Sequence, residues 1–190
     1  MRAATAGFVT AALCLTATPV FSQGAGIEWE TLNEEMASLR GKAQYDRAVA
    51  VAQKALEVAE DEDNVGPDHP DVATSLNNLA TLLQDTNRLA EAEPLMRRAL
   101  ALDEKALGPD HPNVAIRLNN LAQLLQDSNR LSEAEPLMRR ALAIDKQSFG
   151  SDHPKVATPL HNLAQLLKAD NRLTEAESLM QKFLEIIFKL

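Results

Sequence analysis

Apolar residues recur along the central part of the chain with the period of an α-helix. The first set, at positions i, i+3, i+4 and i+7, consists of Leu76, Leu79, Ala80 and Leu83. A second set follows after a short polar segment and consists of Ala92, Leu95, Met96, Ala99 and Leu100. Each set places its members on one face of a helix. The two patterns predict a pair of helices joined by a short turn at Asn87.

This helix pair belongs to a unit that returns every 42 residues. The segment Gly-Pro-Asp-His-Pro at 66–70 returns unchanged at 108–112, and at 150–154 with Ser151 as its one difference. Between 66–107 and 108–149, 31 of 42 positions are identical. A fainter copy lies upstream, 44 residues before its counterpart, and its apolar positions are Leu32, Leu39, Tyr45, Ala48, Ala55 and Leu56. A period of this length predicts a solenoid, in which each unit buries its apolar face against its neighbours.

The repeat divides the chain into five segments. Residues 1–22 precede the repeats, and 23–60 form a degenerate first repeat. Two well-matched repeats follow at 61–107 and 108–149. Residues 150–190 form the last repeat, which ends in a hydrophobic C-terminal helix.

Residues at the predicted helix ends indicate how the helices begin and stop. Pro70 suits a first turn, and Asp68 or His69 is expected to cap it. Ser132 and Thr174 each precede a Glu by three residues, which predicts capping boxes at the start of the second helices. The glycines at 66, 108 and 150 are expected to end the preceding helices.

At these positions the chain resembles the tetratricopeptide repeat family. The family's pattern of large and small residues is met twice, by Leu76, Leu79, Ala80, Leu83, Ala92, Met96 and Ala99, and by Leu118, Leu121, Ala122, Leu125, Ala134, Met138 and Ala141. The 42-residue unit, with its Leu-Asn-Asn-Leu-Ala and Asp-His-Pro segments, is similar to the kinesin-light-chain-type subgroup. The resemblance implies an all-α fold, a right-handed superhelical solenoid of antiparallel helix hairpins that binds other proteins. In the third repeat three residues depart from the pattern: Pro159 should bend its helix, Phe183 replaces a packing Ala, and His161 replaces the first Asn. The family's Pro near the end of the second helix is absent, and Glu104 and Lys146 stand there.

The first 22 residues have the composition of a cleaved secretory signal. Arg2 precedes a mostly apolar stretch that ends in Val-Phe-Ser at 20–22. An uncleaved membrane anchor is the alternative, although Thr, Gly and Pro residues lower the hydrophobicity. A lipoprotein fits less well, since Cys14 follows the bulky Leu13. Cleavage after Ser22 would remove Cys14, the single cysteine, so we expect a secreted or periplasmic protein with neither disulfides nor a stable membrane span.

Charge and motif content argue against nucleic-acid binding and catalysis. The net charge is -8 and no basic stripe occurs, so no nucleic-acid partner is expected. His69, His111 and His153 share one repeat position, but stacked helices lie roughly 8–10 Å apart while zinc ligands lie within about 2.1 Å of the metal. No serine lies in a nucleophile elbow. We therefore expect no enzyme activity, metal or cofactor, and we expect the histidines to structure the loops.

The faces of the first helices that lie opposite the core predict a peptide-binding groove, because first helices line the concave side of such a superhelix. Its residues are Thr74, Asn78, Thr81, Asp85, Ile116, Asn120, Gln123, Asp127, Thr158, Asn162 and Gln165. This stripe has amides, hydroxyls and acids but no Lys or Arg, so the partner is expected to be a neutral or basic peptide or protein. Amides can satisfy the backbone of an extended peptide, as the resemblance implies for related asparagine ladders. Alternatively, Asn is simply tolerated towards solvent. Asn77 and Asn119, on the flank, are expected to bond to the adjacent helix.

The C-terminal helix offers a second interpretation, because it is apolar on nearly all sides and no polar capping helix follows it. The candidate self-association residues are Phe183, Ile187, Phe188 and Leu190. The segment either packs over the open end, mediates homo-oligomer formation or marks a truncated reading frame. The sequence thus predicts a non-catalytic interaction scaffold with a concave peptide groove, or alternatively a structural subunit that assembles through its exposed ends.

Overall fold

The computed structural model describes residues 23–61 and 69–189. The predicted signal segment, 1–22, lies outside the described residues, as do Gly66, Asp68 and Leu190.

The described part of the chain consists of α-helices joined by short turns and contains no strand. In chain order the helices are α1 (Gln23–Gly41), α2 (Tyr45–Glu60), α3 (Pro70–Asp85), α4 (Leu89–Leu107), α5 (Pro112–Asp127), α6 (Leu131–Phe149), α7 (Pro154–Ala169) and α8 (Leu173–Ile187). Consecutive helices form four hairpins, and the second helix of each hairpin packs against the first helix of the next. The all-α solenoid predicted from the repeat is confirmed.

The repeated histidines cap the first helices. Nδ1 of His69, His111 and His153 accepts a hydrogen bond from the backbone N–H two residues on, over 3.3, 3.1 and 3.2 Å. The proline that follows each histidine occupies the first helical position, where its missing N–H costs nothing. The prediction that His69 caps its helix is therefore confirmed.

Asparagine makes the turn inside each of the last three hairpins. Asn87, Asn129 and Asn171 have φ values of 59°, 57° and 60°. In the first of these turns Arg88 N–H donates to the Leu83 carbonyl over 2.8 Å, and Asn87 N–H donates to the Gln84 carbonyl over 2.9 Å. These two bonds form a Schellman motif, which satisfies the last carbonyls of α3.

The second helices begin differently from the prediction. They start at Leu89, Leu131 and Leu173, each preceded by an arginine that makes no side-chain capping bond. Ser132 and Thr174 lie inside the first turn, and the predicted capping boxes are wrong. The ends are as expected, because α4 and α6 stop at Gly108 and Gly150, whose φ values of 88° and 91° disfavour other residues.

Small residues allow the two helices of a hairpin to approach closely. Ala80 and Ala92 are fully buried within the same cluster, which continues through α5 and α7. In the last repeat, α7 runs uninterrupted through Pro159, which is buried.

The inner side of the solenoid is formed by the first helices. Backbone segments of α3 and α5 contact each other, as do those of α5 and α7. Long ion-paired side chains bridge the second helices instead, as between Arg130 and Glu93. Because the first helices lie closer together, they line the concave face. Within the described residues, no helix is both long and apolar enough to cross a membrane.

Candidate peptide-binding groove

The concave face has a hollow of about 390 Å³ between α5 and α7, with the end of α6 as its floor. We call it the Asp145 hollow. It brings together four of the residues predicted for the groove, Ile116, Asn120, Thr158 and Asn162. Ile116 is 54% exposed, so an apolar side chain stands at the centre of a polar face.

A second hollow lies nearer the N-terminus and has a volume of about 250 Å³. Asn78, Thr81 and Asn120 line it together with Arg40 from the end of α1. Asn120 therefore belongs to both hollows, and the two form one continuous face.

The asparagines of the predicted ladder bond to the preceding repeat. Nδ2 of Asn78 donates to Oδ1 of Asn33 over 3.0 Å, and Nδ2 of Asn120 donates to Oδ1 of Asn77 over 2.8 Å. The expectation that Asn77 bonds to an adjacent helix is confirmed. The same expectation is wrong for the side-chain carbonyl of Asn119, because its buried Oδ1 has no partner among the described residues. The ladder is thus regular for two steps and interrupted at the Asp145 hollow.

The acids of the predicted stripe already have partners. Oδ2 of Asp85 accepts from Nε of Arg40 over 2.7 Å. Asp127 accepts from Gln84 over 2.6 Å and from Gln123 over 3.1 Å. The charge of Asp85 is thus paired with an arginine of the chain, whereas Asp127 bonds only to neutral amides and keeps its charge.

The expectation of a groove without Lys or Arg is wrong. Arg40 lines the second hollow and Lys155 lines the Asp145 hollow. Both lie near helix ends, outside the central positions of the stripe that helical angle alone selected. Gln165 also lies elsewhere, beside Leu173 and Met180 on the last hairpin, and Gln165 Nε2 is 3.0 Å from His161 Nε2.

A buried ion pair beside the groove was not found from the sequence. Nε of Arg117 donates to Oδ2 of Asp103 over 2.8 Å, and Nη2 donates to Thr74 Oγ1 over 3.2 Å. Arg117 and Asp103 are both buried. The pair joins α4 to α5, and Thr74 extends it to α3.

The repeat position of Arg117 differs in each of the last three repeats. In the preceding copy it is Ser75, whose Oγ accepts from Trp29 Nε1 over 2.8 Å. In the last copy it is Pro159, which has no donor.

Asp145 is the counterpart of Asp103, but Pro159 stands at the position from which Arg117 reaches Asp103. It is buried, with 9% of its surface exposed, and no described side chain makes a hydrogen bond or ion pair with it. Burial raises the pKa of the Asp145 carboxyl above its ordinary value of 3.8, and the charge of Lys155 opposes that rise only partly. The signal for this site was present in the sequence, because Asp recurs at 103 and 145 while the repeat position of its partner changes from Arg117 to Pro159.

The predicted self-association residues differ in their surroundings. Phe183 is partly buried, with its ring centroid 5.1 Å from that of His161. Ile187 is 41% exposed and Phe188 is 83% exposed. Leu190 lies outside the described residues.

Comparison with known families assigns the fold. The family model described as Tetratricopeptide repeat matches residues 36–105, 79–147 and 118–187, which together span most of the chain. The chain belongs to the tetratricopeptide repeat family. Comparison with curated proteins gives no match.

Solved structures include several tetratricopeptide repeat solenoids with the same fold. BtubC (BKLC) from P. vanneervenii has a TM-score of 0.75 and 23% identity over 87% of this chain and 63% of that one. This chain thus spans less than two thirds of BtubC. A putative kinesin light chain with TPR-like repeats from Podosopora anserina has a TM-score of 0.70 and 24% identity, covering 85% of this chain and 75% of that chain. The predicted resemblance to kinesin-light-chain-type repeats is confirmed.

A more distant neighbour is MamA from Desulfovibrio magneticus RS-1, with a TM-score of 0.61 and 16% identity over 85% of this chain and 76% of that chain. Tetratricopeptide repeats generally mediate protein–protein interaction or assembly and are generally not catalytic. In the part of the chain that the structure describes, no group of three or more His, Cys, Asp or Glu side chains is placed to hold a metal ion.

Proposed function

We propose that this tetratricopeptide repeat array is a non-catalytic scaffold that binds an extended segment of a partner protein along its concave face. The observation that carries the proposal is the Asp145 hollow, where two repeats present an exposed Ile116 among amide and hydroxyl groups. A few polar groups around an apolar surface are typical of binding sites. Asn120, Thr158 and Asn162 offer both donors and acceptors to the backbone of a ligand.

The test is selection of peptides from a displayed random library on residues 23–190, followed by affinity measurement on two variants. Ile116→Ser removes apolar surface from the centre of the hollow without adding a charge and is expected to weaken the selected peptides by tenfold or more. Ala143→Ser is the matched control, because Ala143 is an exposed residue of α6 that does not line the hollow. Equal binding by wild type and Ile116→Ser would overturn the proposal.

Substitution of Asn78 or Asn120 is a poorer test of binding. Both side chains bond to the preceding repeat. Alanine at either position would remove a contact between repeats as well as a surface amide, so a loss of affinity would have two explanations.

We also propose that the protein is exported and that its mature form begins at Gln23. The support is the apolar stretch before Ser22 and the small residues around it. Mass spectrometry of the protein from the extracytoplasmic fraction is expected to show the loss of residues 1–22. Retention of these residues in exported protein would argue for the membrane-anchor alternative.

A second candidate function is self-assembly through the C-terminal end. Leu173, Ile187 and Phe188 are exposed apolar side chains on α8 or just beyond it. A second copy of the chain is the proposed occupant. Light scattering of the double variant Ile187→Glu, Phe188→Glu tests this, with Ser178→Glu as a control on an exposed position of the same helix. A wild-type monomer would eliminate this candidate.

A further inference from the structure

The ion pair of one repeat shows what the next repeat lacks. Arg117 reaches Asp103 with Nε and Thr74 with Nη2. One repeat later, Asp145 takes the place of Asp103, Ile116 that of Thr74 and Pro159 that of Arg117. The carboxylate is present in both repeats, whereas the guanidinium is present only in the first of the two.

The Asp145 hollow occupies the place that corresponds to the Arg117 guanidinium of the preceding repeat. Asp145, Pro159 and Asn119 all line it, and its volume of about 390 Å³ exceeds that of an arginine side chain. Asp145 is more than nine-tenths buried and makes no hydrogen bond or ion pair with any described residue. Oδ1 of Asn119 is a buried acceptor without a described partner, whereas neither oxygen of Asp145 is fully enclosed. The carboxylate can therefore be reached from the hollow, and a ligand that supplies donors to it and to Asn119 is favoured.

Lys155 does not supply those donors. It lines the hollow, but its ammonium lies 4.4 Å from the centroid of the Phe149 ring and forms no ion pair with Asp145. The Phe149 ring and the Ile116 side chain add apolar surface, against which the methylene stem of a long basic side chain can pack.

We propose that the Asp145 hollow binds the guanidinium group of an arginine side chain from the partner, which takes the place that Arg117 occupies in the preceding repeat. The inference rests on the proposed groove function. Arginine fits better than lysine because its planar fork carries five donors and is more weakly hydrated than an ammonium group. Within the chain itself, the equivalent carboxylate of Asp103 already pairs with an arginine in this way.

The first test measures selectivity with a defined probe. The peptide acetyl-Gly-Ser-Arg-Ser-Gly-amide is titrated into residues 23–190 and followed by amide shifts of hollow residues, alongside the same peptide with lysine or with citrulline. Citrulline keeps the shape of arginine and removes its charge. We expect the arginine probe to bind at least tenfold more tightly than the citrulline probe. A hydrogen bond between charged groups is stronger than one between neutral groups by about the free energy that corresponds to a tenfold change in affinity. Equal binding of the two would overturn the inference.

The second test uses two variants that are expected to fold. Asp145→Asn removes a buried charge without changing the shape and is expected to abolish the preference for arginine. Pro159→Arg restores the residue type of the preceding repeat, so its own guanidinium should bond to Asp145, raise the thermal midpoint and block the probe. The inference fails if Pro159→Arg is folded and binds the probe as tightly as the wild type.

The groove and the guanidinium site can fail separately. If Ile116→Ser loses the display-selected peptides while Asp145→Asn keeps the arginine preference of the wild type, the groove stands and the arginine assignment is wrong. If Ile116→Ser keeps those peptides while the arginine probe depends on Asp145, the hollow binds arginine and the groove proposal is wrong.

Discussion

Arg130 donates from Nη1 to Oε2 of Glu93, in the preceding repeat, over 2.6 Å. The same arginine bonds to Glu133 of its own helix through Nε and Nη2, both over 2.7 Å. The arrangement returns at Arg172, which donates to Glu135 of the preceding repeat over 2.6 Å. A line of alternating charges therefore joins successive second helices.

The ion pairs predict how the stability of the protein depends on pH. The hydrogen bond from Arg130 holds the pKa of the Glu93 carboxyl below its ordinary value of 4.5. Because the folded pKa is lowered, the stabilisation is present above the unfolded value and is lost as the pH falls through the folded one. We expect Glu93→Gln to lower the thermal midpoint at pH 7 by about 2–4 °C and to flatten its decline below pH 4.5. Calorimetry across pH measures both effects.

Glu177→Gln is the matched control for that experiment, because Glu177 is exposed and makes no ion pair among the described residues. The control should leave the midpoint at pH 7 and its decline in acid unchanged. Equal behaviour of the two variants would show that the bridge between Arg130 and Glu93 contributes nothing. High salt should reduce the difference between Glu93→Gln and wild type, since screening weakens exposed pairs.

The buried pair of Arg117 and Asp103 predicts a large loss of stability when one partner is removed. Arg117→Met leaves the Asp103 carboxylate buried and unpaired, which is expected to cost about 3–5 kcal/mol of unfolding free energy. The double variant Arg117→Met, Asp103→Leu removes both charges and should recover most of that loss. Urea denaturation measures each value. A double variant as unstable as the single one would mean that packing, and not the unpaired charge, causes the loss.

The histidine caps predict that aspartate can replace His111 with little loss of stability, whereas alanine cannot. His111→Ala removes the acceptor for the Asn113 N–H and is expected to destabilise the protein by about 1 kcal/mol. His111→Asp offers a carboxylate acceptor at the same position and should keep most of the stability. Chemical denaturation compares the three proteins. If His111→Asp is no more stable than His111→Ala, the imidazole contributes by packing and not by capping.

Periodicity was sufficient to predict the helices, their pairing and the histidine caps, because each of these is set locally and repeats every 42 residues. The capping boxes at Ser132 and Thr174 were predicted wrongly because their motif is satisfied by any Ser or Thr three residues before a Glu. The helices start one residue earlier, at Leu131 and Leu173, where the chain leaves the asparagine turn.

The chemistry of the groove depends on differences between repeats, which a pattern common to all of them hides. Helical angle placed Ile116, Asn120, Thr158 and Asn162 on one surface, and the structure gathers them in one hollow. Helical angle did not identify Asp145, because this residue belongs to α6, the second helix of its hairpin, and lies at the floor of the hollow. In the sequence, Pro159 takes the repeat position of Arg117. Only the structure shows what this difference means for the hollow.

The charges around Asp145 predict that binding of the arginine probe depends on pH. Burial raises the pKa of this carboxyl, so protonation begins at a higher pH than for an ordinary aspartate. The other charged or titratable neighbours are Lys155 at the rim and His153, which stacks on Phe149. Affinity should fall as the pH is lowered from 7 towards 4, because a protonated carboxyl loses its attraction for guanidinium.

The same site separates the contributions of its three titratable groups. Asp145→Asn should bind weakly at every pH, and His153→Asn, which keeps a capping side chain, should show the wild-type pH dependence. Lys155→Gln removes a like charge from the rim and should strengthen binding severalfold at pH 7, since the ammonium lies within the same hollow as the carboxylate. Titrations by amide shifts between pH 4 and 7 give all four curves. A pH dependence that disappears in His153→Asn and persists in Asp145→Asn would assign the effect to the histidine and contradict the role given to Asp145.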